Sequence, residues 1–452
     1  MRWFRVTVAL GALGVMAQVA NARTPAFVRQ TGLTCNQCHM SINPAPDYTF
    51  TGMKFRLNGY RTPWVAEKVE AGTEGAVNGQ RLLLTLGSAL SFHARGTLLA
   101  QSTAPSDPSQ PAPSAGTPNS AIIQTLALHY AGPIGEHVGI WDELYIYGGS
   151  APGGNTHGYI GLNHYNLVYT SDVGGNILGM QLAGYSDGAH NFLAILPDNT
   201  PNDQTRDDYG LAGSHAPYFL WDVYGFVSER VAFMVGVEPG EDNLDWKRFN
   251  YKWEAGVFPF NSDALFMMIR AEGKAGNDMV PIVSTNRALN DGARTPAPAD
   301  AVNGISATTA SGAPYSSASF GDGSRWLFSW SVGTIDRGPH SLTADLSAAT
   351  ESETYNDGGG AKMSSWGFET RYFYNRTYGV TLDASNYIKY NFTDYLGTVH
   401  NIPQDLSWSI LLAWRLAQNY GMYFSYGNNQ ATMLDQNWRN GHSWSLNIQY
   451  LW

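Results

Sequence analysis

The chain has 452 residues, of which 43% are hydrophobic, 13% aromatic and 14% charged, and its formal net charge is −10. This negative balance argues against nucleic acid or an anionic membrane surface as a binding partner. Few charges, many aromatic residues and 49 glycines, without a transmembrane-length apolar run beyond the N-terminal region, favour a transmembrane β-barrel.

The N-terminal residues have the three parts of a secretory signal peptide. Residues 1–5 are basic, 6–20 are apolar, and Ala-Asn-Ala at 20–22 is a small-residue cleavage site. The apolar part is too short to span a bilayer comfortably. We therefore predict a signal peptide over 1–22. Its removal takes two arginines away and leaves 25 basic and 37 acidic residues, a formal charge of −12.

Both cysteines of the chain belong to one motif, Cys35-Asn36-Gln37-Cys38-His39. In a CxxCH motif the two thiols form thioether bonds to a haem, and the histidine is an axial ligand of its iron. A redox-active CxxC pair would need a thioredoxin-like context, and a zinc site would need further Cys or His ligands. We therefore predict one covalent haem c, held by Cys35 and Cys38, with His39 as the proximal iron ligand.

A haem c segment of about fifty residues, 23–75, separates the signal peptide from the first predicted strand. A segment this short rarely forms a sufficient core by itself. Pro44, Pro46 and Gly52 indicate loops, with one short helix around the haem motif. We expect the segment to fold as a plug, at the periplasmic end of a barrel formed by 76–452 or within its lumen.

The rest of the chain predicts a series of β-hairpins, because strand-like segments alternate with short polar or glycine-rich turns. Turns such as 132–135 and 172–175 are short, whereas the loops 187–217 and 273–324 are long. The predicted strands are 80–101, 120–131, 136–148, 159–169, 176–186, 218–227, 231–238, 251–258, 264–272, 325–334, 340–349, 364–374, 379–390, 406–416, 421–428 and 442–452. With sixteen strands, both chain ends would lie at the end of the barrel that has the seven tight turns. The eight longer loops would lie at the opposite end of the barrel.

The strands are expected to alternate between apolar residues facing lipid and polar residues facing the lumen. The lipid-facing set includes Leu82, Leu84, Leu86, Leu90, Phe92, Trp326, Phe328, Trp330, Val332, Leu406, Trp408, Ile410, Leu412, Trp414 and Leu416. The lumen-facing set includes Arg81, His93, Arg95, Asp345, Glu369, Arg371, Asp383 and Arg415. A β-propeller carrying a cytochrome segment is the competing architecture, but it would show a blade-length repeat, which we do not find. The predicted fold class is all-β, a sixteen-stranded transmembrane antiparallel β-barrel.

One stretch, residues 24–60, resembles the N-terminus of the fused cytochrome-porin family, known from outer-membrane cytochromes of iron-oxidising bacteria. The resemblance rests on Pro-Ala-Phe-Val-Arg-Gln-Thr-Gly at 25–32, on the haem motif, and on Phe50, Gly52, Phe55, Gly59 and Tyr60. It implies a single-haem segment joined to a sixteen-stranded barrel that takes electrons from extracellular Fe(II) into the periplasm. Carried onto this sequence, it makes Cys35 and Cys38 the haem attachment sites and His39 the proximal ligand.

The second axial ligand of the haem iron would tune its potential, since methionine raises the potential relative to a second histidine. Met53 is the leading candidate, fourteen residues after His39, with apolar packing as the alternative role. Met40 adjoins the proximal ligand and is unsuited to reach the opposite haem face. His93, on the predicted inner face of the first strand, would give a bis-histidine haem or serve as a polar lumen residue.

The function predicted from these features is an outer-membrane electron conduit of a Gram-negative bacterium. It would oxidise an extracellular donor, Fe(II) above all, and pass electrons to a periplasmic c-type cytochrome. This iron oxidase chemistry is outer-sphere electron transfer, so it requires no catalytic acid–base pair. The alternatives are a porin with a haem-bearing plug, or outward electron transfer to an extracellular acceptor. Acidic and imidazole groups on predicted outer loops could dock iron, although no site is assigned to them: His190, Asp203, Asp207, Asp208, His215, Glu241 and Asp242.

Overall fold

The computed structural model describes residues 26–31, 33, 35–38, 48–61, 90–99, 121–134, 137–148, 161–184, 220–239, 249–277, 311, 320–401, 406–417, 420–428 and 442–451. The predicted signal peptide, residues 80–89 of the predicted first strand, and the acidic and histidine residues of the outer loops lie outside these ranges. Within them, no helix is both long and apolar enough to cross a membrane.

Among the described residues three short helices precede the strands, where the sequence indicated one. They are α1 (Ala26–Thr31), α2 (Cys35–Cys38) and α3 (Phe50–Leu57). Thr49 begins α3 as its N-cap, because its side-chain oxygen accepts the N–H of Gly52 at 2.9 Å. The left-handed Gly59 (φ 63°) ends α3, and the Tyr60 N–H bonds the Phe55 carbonyl at 2.9 Å. Local capping chemistry thus defines the longest helix of the segment.

The described residues then form seventeen strands, all in one antiparallel sheet. Their bounds are β1 (Leu90–Leu99), β2 (Ala121–Ile134), β3 (Val138–Gly148), β4 (Gly161–Val173), β5 (Asn176–Gly184), β6 (Leu220–Val227), β7 (Val231–Pro239), β8 (Phe249–Ser262), β9 (Leu265–Gly276), β10 (Phe320–Arg337), β11 (His340–Tyr355), β12 (Gly360–Tyr374), β13 (Tyr378–Thr393), β14 (Val399–Asn401), β15 (Ser407–Ala417), β16 (Tyr420–Asn428) and β17 (His442–Leu451). Sixteen of them are the predicted strands, with shifted ends.

The sheet returns on itself. Each strand pairs with its neighbours in the chain, and β1 pairs with β2 at one edge and β17 at the other. His93 marks this seam, since its backbone lies opposite Ala127 of β2 and Leu451 of β17. Apart from the short β14, the strands therefore form a ring of antiparallel pairs, which is the closure that removes edge strands from a barrel.

Three predicted details were wrong. The predicted strand count omitted β14, which pairs with the end of β13 after the turn at Asp394. The predicted loop over 350–363 is mostly strand, because its polar residues continue the alternation and leave only a short turn at 356–359. The turn predicted at 132–135 also lies later, since β2 runs through Pro133 to Ile134. The turn at Gly174 and Gly175 is confirmed, both having φ above 60°.

Alternation between the two faces of the sheet is confirmed. Trp326, Phe328 and Trp330 are exposed on the outside of β10, and Leu90 and Phe92 are exposed on β1. On β15, Ile410, Leu412 and Trp414 are exposed, whereas Trp408 is half-buried. On the other face, Asp345 of β11 and Arg371 of β12 are buried. The inner wall is polar, as predicted, and many of its charged side chains are almost completely buried.

Candidate functional site

Helix α2 carries the two cysteines of the haem motif at its first and last residues, Cys35 and Cys38. Positions i and i+3 of a helix lie on the same face, so one turn brings both positions to one side. The Cys38 side chain is half-buried. His39, the predicted proximal ligand, and Met40 lie outside the described residues, and so does the side chain of His93.

Thr49 connects α2 to α3. Its N–H donates to the Cys38 carbonyl at 2.9 Å, and its hydroxyl donates to the Gln37 carbonyl at 2.5 Å. These carbonyls belong to the C-terminal end of α2, where the helix itself leaves acceptors without partners. The same hydroxyl oxygen caps α3. Thr49 therefore fixes the helix that bears the cysteines against the helix that follows.

Gly52 makes this contact possible. A Cβ atom at this position would lie 2.1 Å from the Cys38 carbonyl oxygen and 2.9 Å from the Cys38 Cα. These are backbone atoms, which cannot rotate out of the way. The absence of a side chain at Gly52 thus lets α3 approach the peptide of a predicted haem-attachment residue directly.

The segment is held against the inner wall of the barrel by buried polar contacts. The Tyr224 hydroxyl of β6 donates to the Leu57 carbonyl at 2.7 Å, and the Asn166 amide of β4 donates to the Tyr60 hydroxyl oxygen at 3.1 Å. Burial here raises the pKa of the Tyr60 phenol above its ordinary value, more than the neighbouring Arg56 charge lowers it. From α1, the Gln30 amide donates to the Ala131 carbonyl at 2.8 Å.

Apolar contacts accompany these hydrogen bonds. The Phe50 ring meets the rings of Phe226 and Phe258 on the wall, with centroids 6.1 and 5.6 Å away. Phe27 of α1 stacks on Tyr60 with centroids 5.1 Å apart. Edge-to-face and offset stacking of this kind adds to the area that burial removes from water. The segment and wall therefore share one hydrophobic core.

Contacts with the tight turns place the segment at that end of the barrel. Thr51 donates its hydroxyl to the Asp263 carboxylate of the β8–β9 turn at 2.6 Å. Lys54 pairs with Glu229 in the β6–β7 turn. Arg61 bonds the Val138 carbonyl at 2.6 Å, near the start of β3, and Thr170 near the end of β4. These contacts support the predicted plug position for residues 48–61.

Met53, the predicted distal ligand, is buried with 1% of its surface exposed, in the cluster that includes Phe50 and Phe226. Successive helix residues are ~100° apart, so Met53 lies one quarter-turn from the face of Gly52 that meets Cys38. The buried position of Met53 agrees with the alternative role of apolar packing. Its role as an iron ligand stays a prediction.

Charged side chains form rows across the inner wall from β8 to β13. In the strand register Glu254 lies opposite Glu272, while Glu369 lies opposite both Asp345 and Asp383. Like charges directly opposite each other destabilise a sheet unless other groups compensate them. The rows therefore depend on nearby cations and hydroxyls.

Those compensating groups are present. The Arg270 Nε lies 2.8 Å from Glu254 Oε1, and its Nη2 lies 2.5 Å from Glu272 Oε2. Arg371 pairs with Glu369. Ser331 and Ser409 donate to the carboxylates of Asp345 and Asp383, respectively. The inner wall is a connected network of ions rather than a set of isolated charges.

The donor set of the segment fits a covalent haem. Two cysteines bracket one helical turn, and Thr49 and Gly52 fix the peptide of Cys38. Cys35 and Cys38 would hold the group. No cluster of three or more His, Cys, Asp and Glu side chains suited to a metal ion occurs among the described residues.

Sequence reasoning missed the contacts that position the segment. Thr49 could have been found, because Thr followed by a helical pattern is an N-cap signal. Tyr224 and Asn166 carry no local signal, since their partners are 167 and 106 residues away in the chain. Only the folded barrel brings them to the segment.

No family model and no curated protein matches this sequence. Among solved structures, OprB of Pseudomonas putida is similar over 84% of this chain and 97% of its own, with 12% identity and a TM-score of 0.50. The outer membrane channel DcaP of Acinetobacter baumannii covers 80% and 96%, with 11% identity and a TM-score of 0.44. OmpT, an outer membrane protein of Vibrio cholerae, covers 80% and 99%, with 9% identity and a TM-score of 0.45. The likeness to OprB supports a β-barrel of this kind as the fold.

Proposed function

We propose that this chain is an outer-membrane electron conduit whose plug carries one covalent haem c. Cys35 and Cys38 would hold the haem, His39 would be its proximal iron ligand, and Met53 is the candidate for the distal position. The haem supplies a one-electron carrier that the protein side chains lack. The barrel would hold that carrier in a fixed place at the membrane.

The observation that carries the proposal is the docking of the haem-motif segment on the inner wall. Tyr224, Asn166 and Asp263, from three different parts of the barrel, bond residues of the segment. Thr49 and Gly52 connect those residues to Cys38. A redox group attached to Cys38 would therefore be fixed at the tight-turn end instead of moving on a tether.

Burial of the inner wall favours the passage of electrons over the passage of solutes. A wide, water-filled lumen would leave inward-facing charges accessible to solvent. Instead Arg270, Glu254 and Lys252 each have about 1% of their surface exposed, and Arg371 has 5%. Outer-sphere electron transfer moves no atoms between the donor and the redox group, so it does not require a lumen wide enough for solutes to cross.

The outward face supports placement in the outer membrane. Exposed aromatic and aliphatic side chains occur at outward positions of many strands, including Trp330, Leu346 and Trp414. In bacterial barrels the short turns face the periplasm. The plug would then face a periplasmic c-type cytochrome, and the long loops would face an extracellular donor, for which we propose Fe(II). Outward transfer to an extracellular acceptor would use the same arrangement in reverse.

Stopped-flow spectroscopy tests the proposal. The purified, oxidised protein is mixed anaerobically with Fe(II), and haem reduction is followed in the visible region. We expect rapid reduction that saturates with Fe(II), and its loss in a His39→Ala variant. A haem that dithionite reduces but Fe(II) does not would contradict the iron oxidase activity.

The fold also favours a second candidate, a diffusion porin with a haem-bearing plug, because the barrel is similar to OprB. This candidate requires an open path beside the plug. Planar bilayer recordings separate the two functions, since a porin would give steady ion conductance through every inserted barrel, whereas the conduit would give little or none.

A further inference from the structure

Arg56 is a buried cation on the plug, with 4% of its surface exposed. It lies one helical turn after Gly52 on α3, and residues four apart share a helix face. That face is the one that meets the Cys38 peptide. Arg56 is therefore ~6 Å along the helix from the contact with the predicted haem-attachment residue.

The other two cations among residues 48–61 are directed to the turns of the barrel. Lys54 pairs with Glu229, and Arg61 bonds Thr170 and the Val138 carbonyl. Arg56 instead stays in the interior, where its guanidinium lies 5.8 Å from the centre of the Tyr48 ring. It is the plug cation placed on the side of α3 that faces α2.

One carboxyl group of the wall is close enough to Arg56 for the two groups to interact electrostatically. Asp222 of β6 is 5% exposed and lies within electrostatic range of Arg56. Its Oδ2 accepts the Gln181 amide at 2.6 Å. Burying a guanidinium is costly unless anions surround it, and Arg is the side chain best suited to hold carboxylates in such sites. Carboxylates are therefore the anions expected to accompany Arg56 in the interior.

We infer that Arg56 supplies the positive charge that a haem at Cys35 and Cys38 requires for its propionate carboxylates. This rests on the proposed haem attachment. Buried carboxylates need charge-assisted hydrogen bonds, and a guanidinium provides them in a bidentate form. A fixed cation beside the haem also disfavours the more positive oxidised iron, so Arg56 raises the midpoint potential. Arg56 is thereby a positioning and tuning residue, not a catalytic one.

The test is an optical redox titration of the full-length holoprotein with mediators, comparing Arg56→Gln, Arg56→Lys and Lys54→Gln. Lys54→Gln removes the same charge from the same helix, but at the Glu229 side. We expect Arg56→Gln to lower the midpoint potential clearly more than Lys54→Gln does, and Arg56→Lys to restore most of the loss. Equal shifts in the two Gln variants, or no shift, would overturn the inference.

If the Arg56→Gln variant does not accumulate with haem, the Arg56→His variant compares a charged and a neutral side chain at this position within one protein. Its potential must rise as the pH falls through the histidine range, relative to the pH dependence of the wild type. A pH dependence identical to that of the wild type would overturn the inference. Redox mediators set the potential of the solution in every titration, so these results do not depend on whether Fe(II) reduces the haem. A wild-type protein that contains no haem would instead contradict the proposed function.

Discussion

The Gly52 Cα lies so close to the Cys38 peptide that a Cβ would sit 2.1 Å from the Cys38 carbonyl oxygen. Gly52→Ala must therefore separate α3 from α2 or distort one of them, and overpacking of this kind costs ~1–3 kcal/mol or more. We expect a lower haem content per barrel and faster proteolysis within residues 26–61. Haem quantification and limited proteolysis measure both effects.

A matched control for this variant is Thr51→Ala, one residue away, which removes the contact with Asp263 and leaves the α2–α3 packing intact. It should retain haem. Wild-type haem content and protease resistance in Gly52→Ala would show that the close approach is dispensable.

Tyr224→Phe removes the hydroxyl that bonds the Leu57 carbonyl. Leaving a buried hydrogen-bond acceptor without its donor lowers stability by ~1–3 kcal/mol. Because the bond joins the barrel to the plug, we expect the plug to become protease-sensitive while the barrel keeps its thermal stability. Tyr251→Phe, at an exposed outward position, is the control. Equal proteolysis rates in the two variants would argue against a docking role for Tyr224.

The sequence was sufficient to predict the strands and their alternation, because these depend on local patterns. Trp326 and Asp345 fall on the predicted faces for this reason. The docking residues could not be predicted in the same way. Which inward side chains meet the plug depends on the register of distant strands, as it does for Asn166 and Tyr60, and no local pattern encodes that register.

Arg270 holds two carboxylates of the inner wall, those of Glu254 and Glu272. Arg270→Met would leave these two buried carboxylates without this cation. Removing one partner of a buried ion pair lowers the stability of a protein by ~3–5 kcal/mol. We expect a large fall in the thermal stability of the barrel, measured by circular dichroism. Lys389→Met, at an exposed position, should change it little. A stability loss no greater than that of the control would show that the network contributes little.

Met53→Leu tests the distal ligand while conserving side-chain volume. Sulfur ligation raises the potential of a haem, so we expect a lower midpoint potential in this variant. Met363→Leu, at another buried methionine on the inner wall, controls for a general packing change. Unchanged potentials in both variants would leave Met53 with the packing role alone.

Asp394 organises the turn before β14. Partial burial raises the pKa of Asp394. Hydrogen bonds from His400 and from the backbone N–H groups of Thr398 and Leu396 together lower it by more, so the pKa lies below its ordinary value. The resulting stabilisation is present above the unfolded-state pKa of ~3.9 and is lost as the pH falls through the lower folded-state value.

We therefore expect this turn to loosen locally in acid. Hydrogen exchange, corrected for its intrinsic pH dependence, should show protection of the Leu396 and Thr398 amides falling below about pH 4. In Asp394→Asn the protection should be lower and independent of pH over this range. Equal protection in the variant at neutral pH would contradict the assigned role.

The most direct test of the account uses liposomes that contain the full-length barrel and enclose a c-type cytochrome together with a small fluorescent solute. Fe(II) is added outside, and reduction of the enclosed cytochrome is followed alongside solute release. We predict that electrons cross without the solute, and that His39→Ala abolishes the electron transfer. Release of the solute without reduction of the cytochrome would contradict the account and identify the chain as a porin.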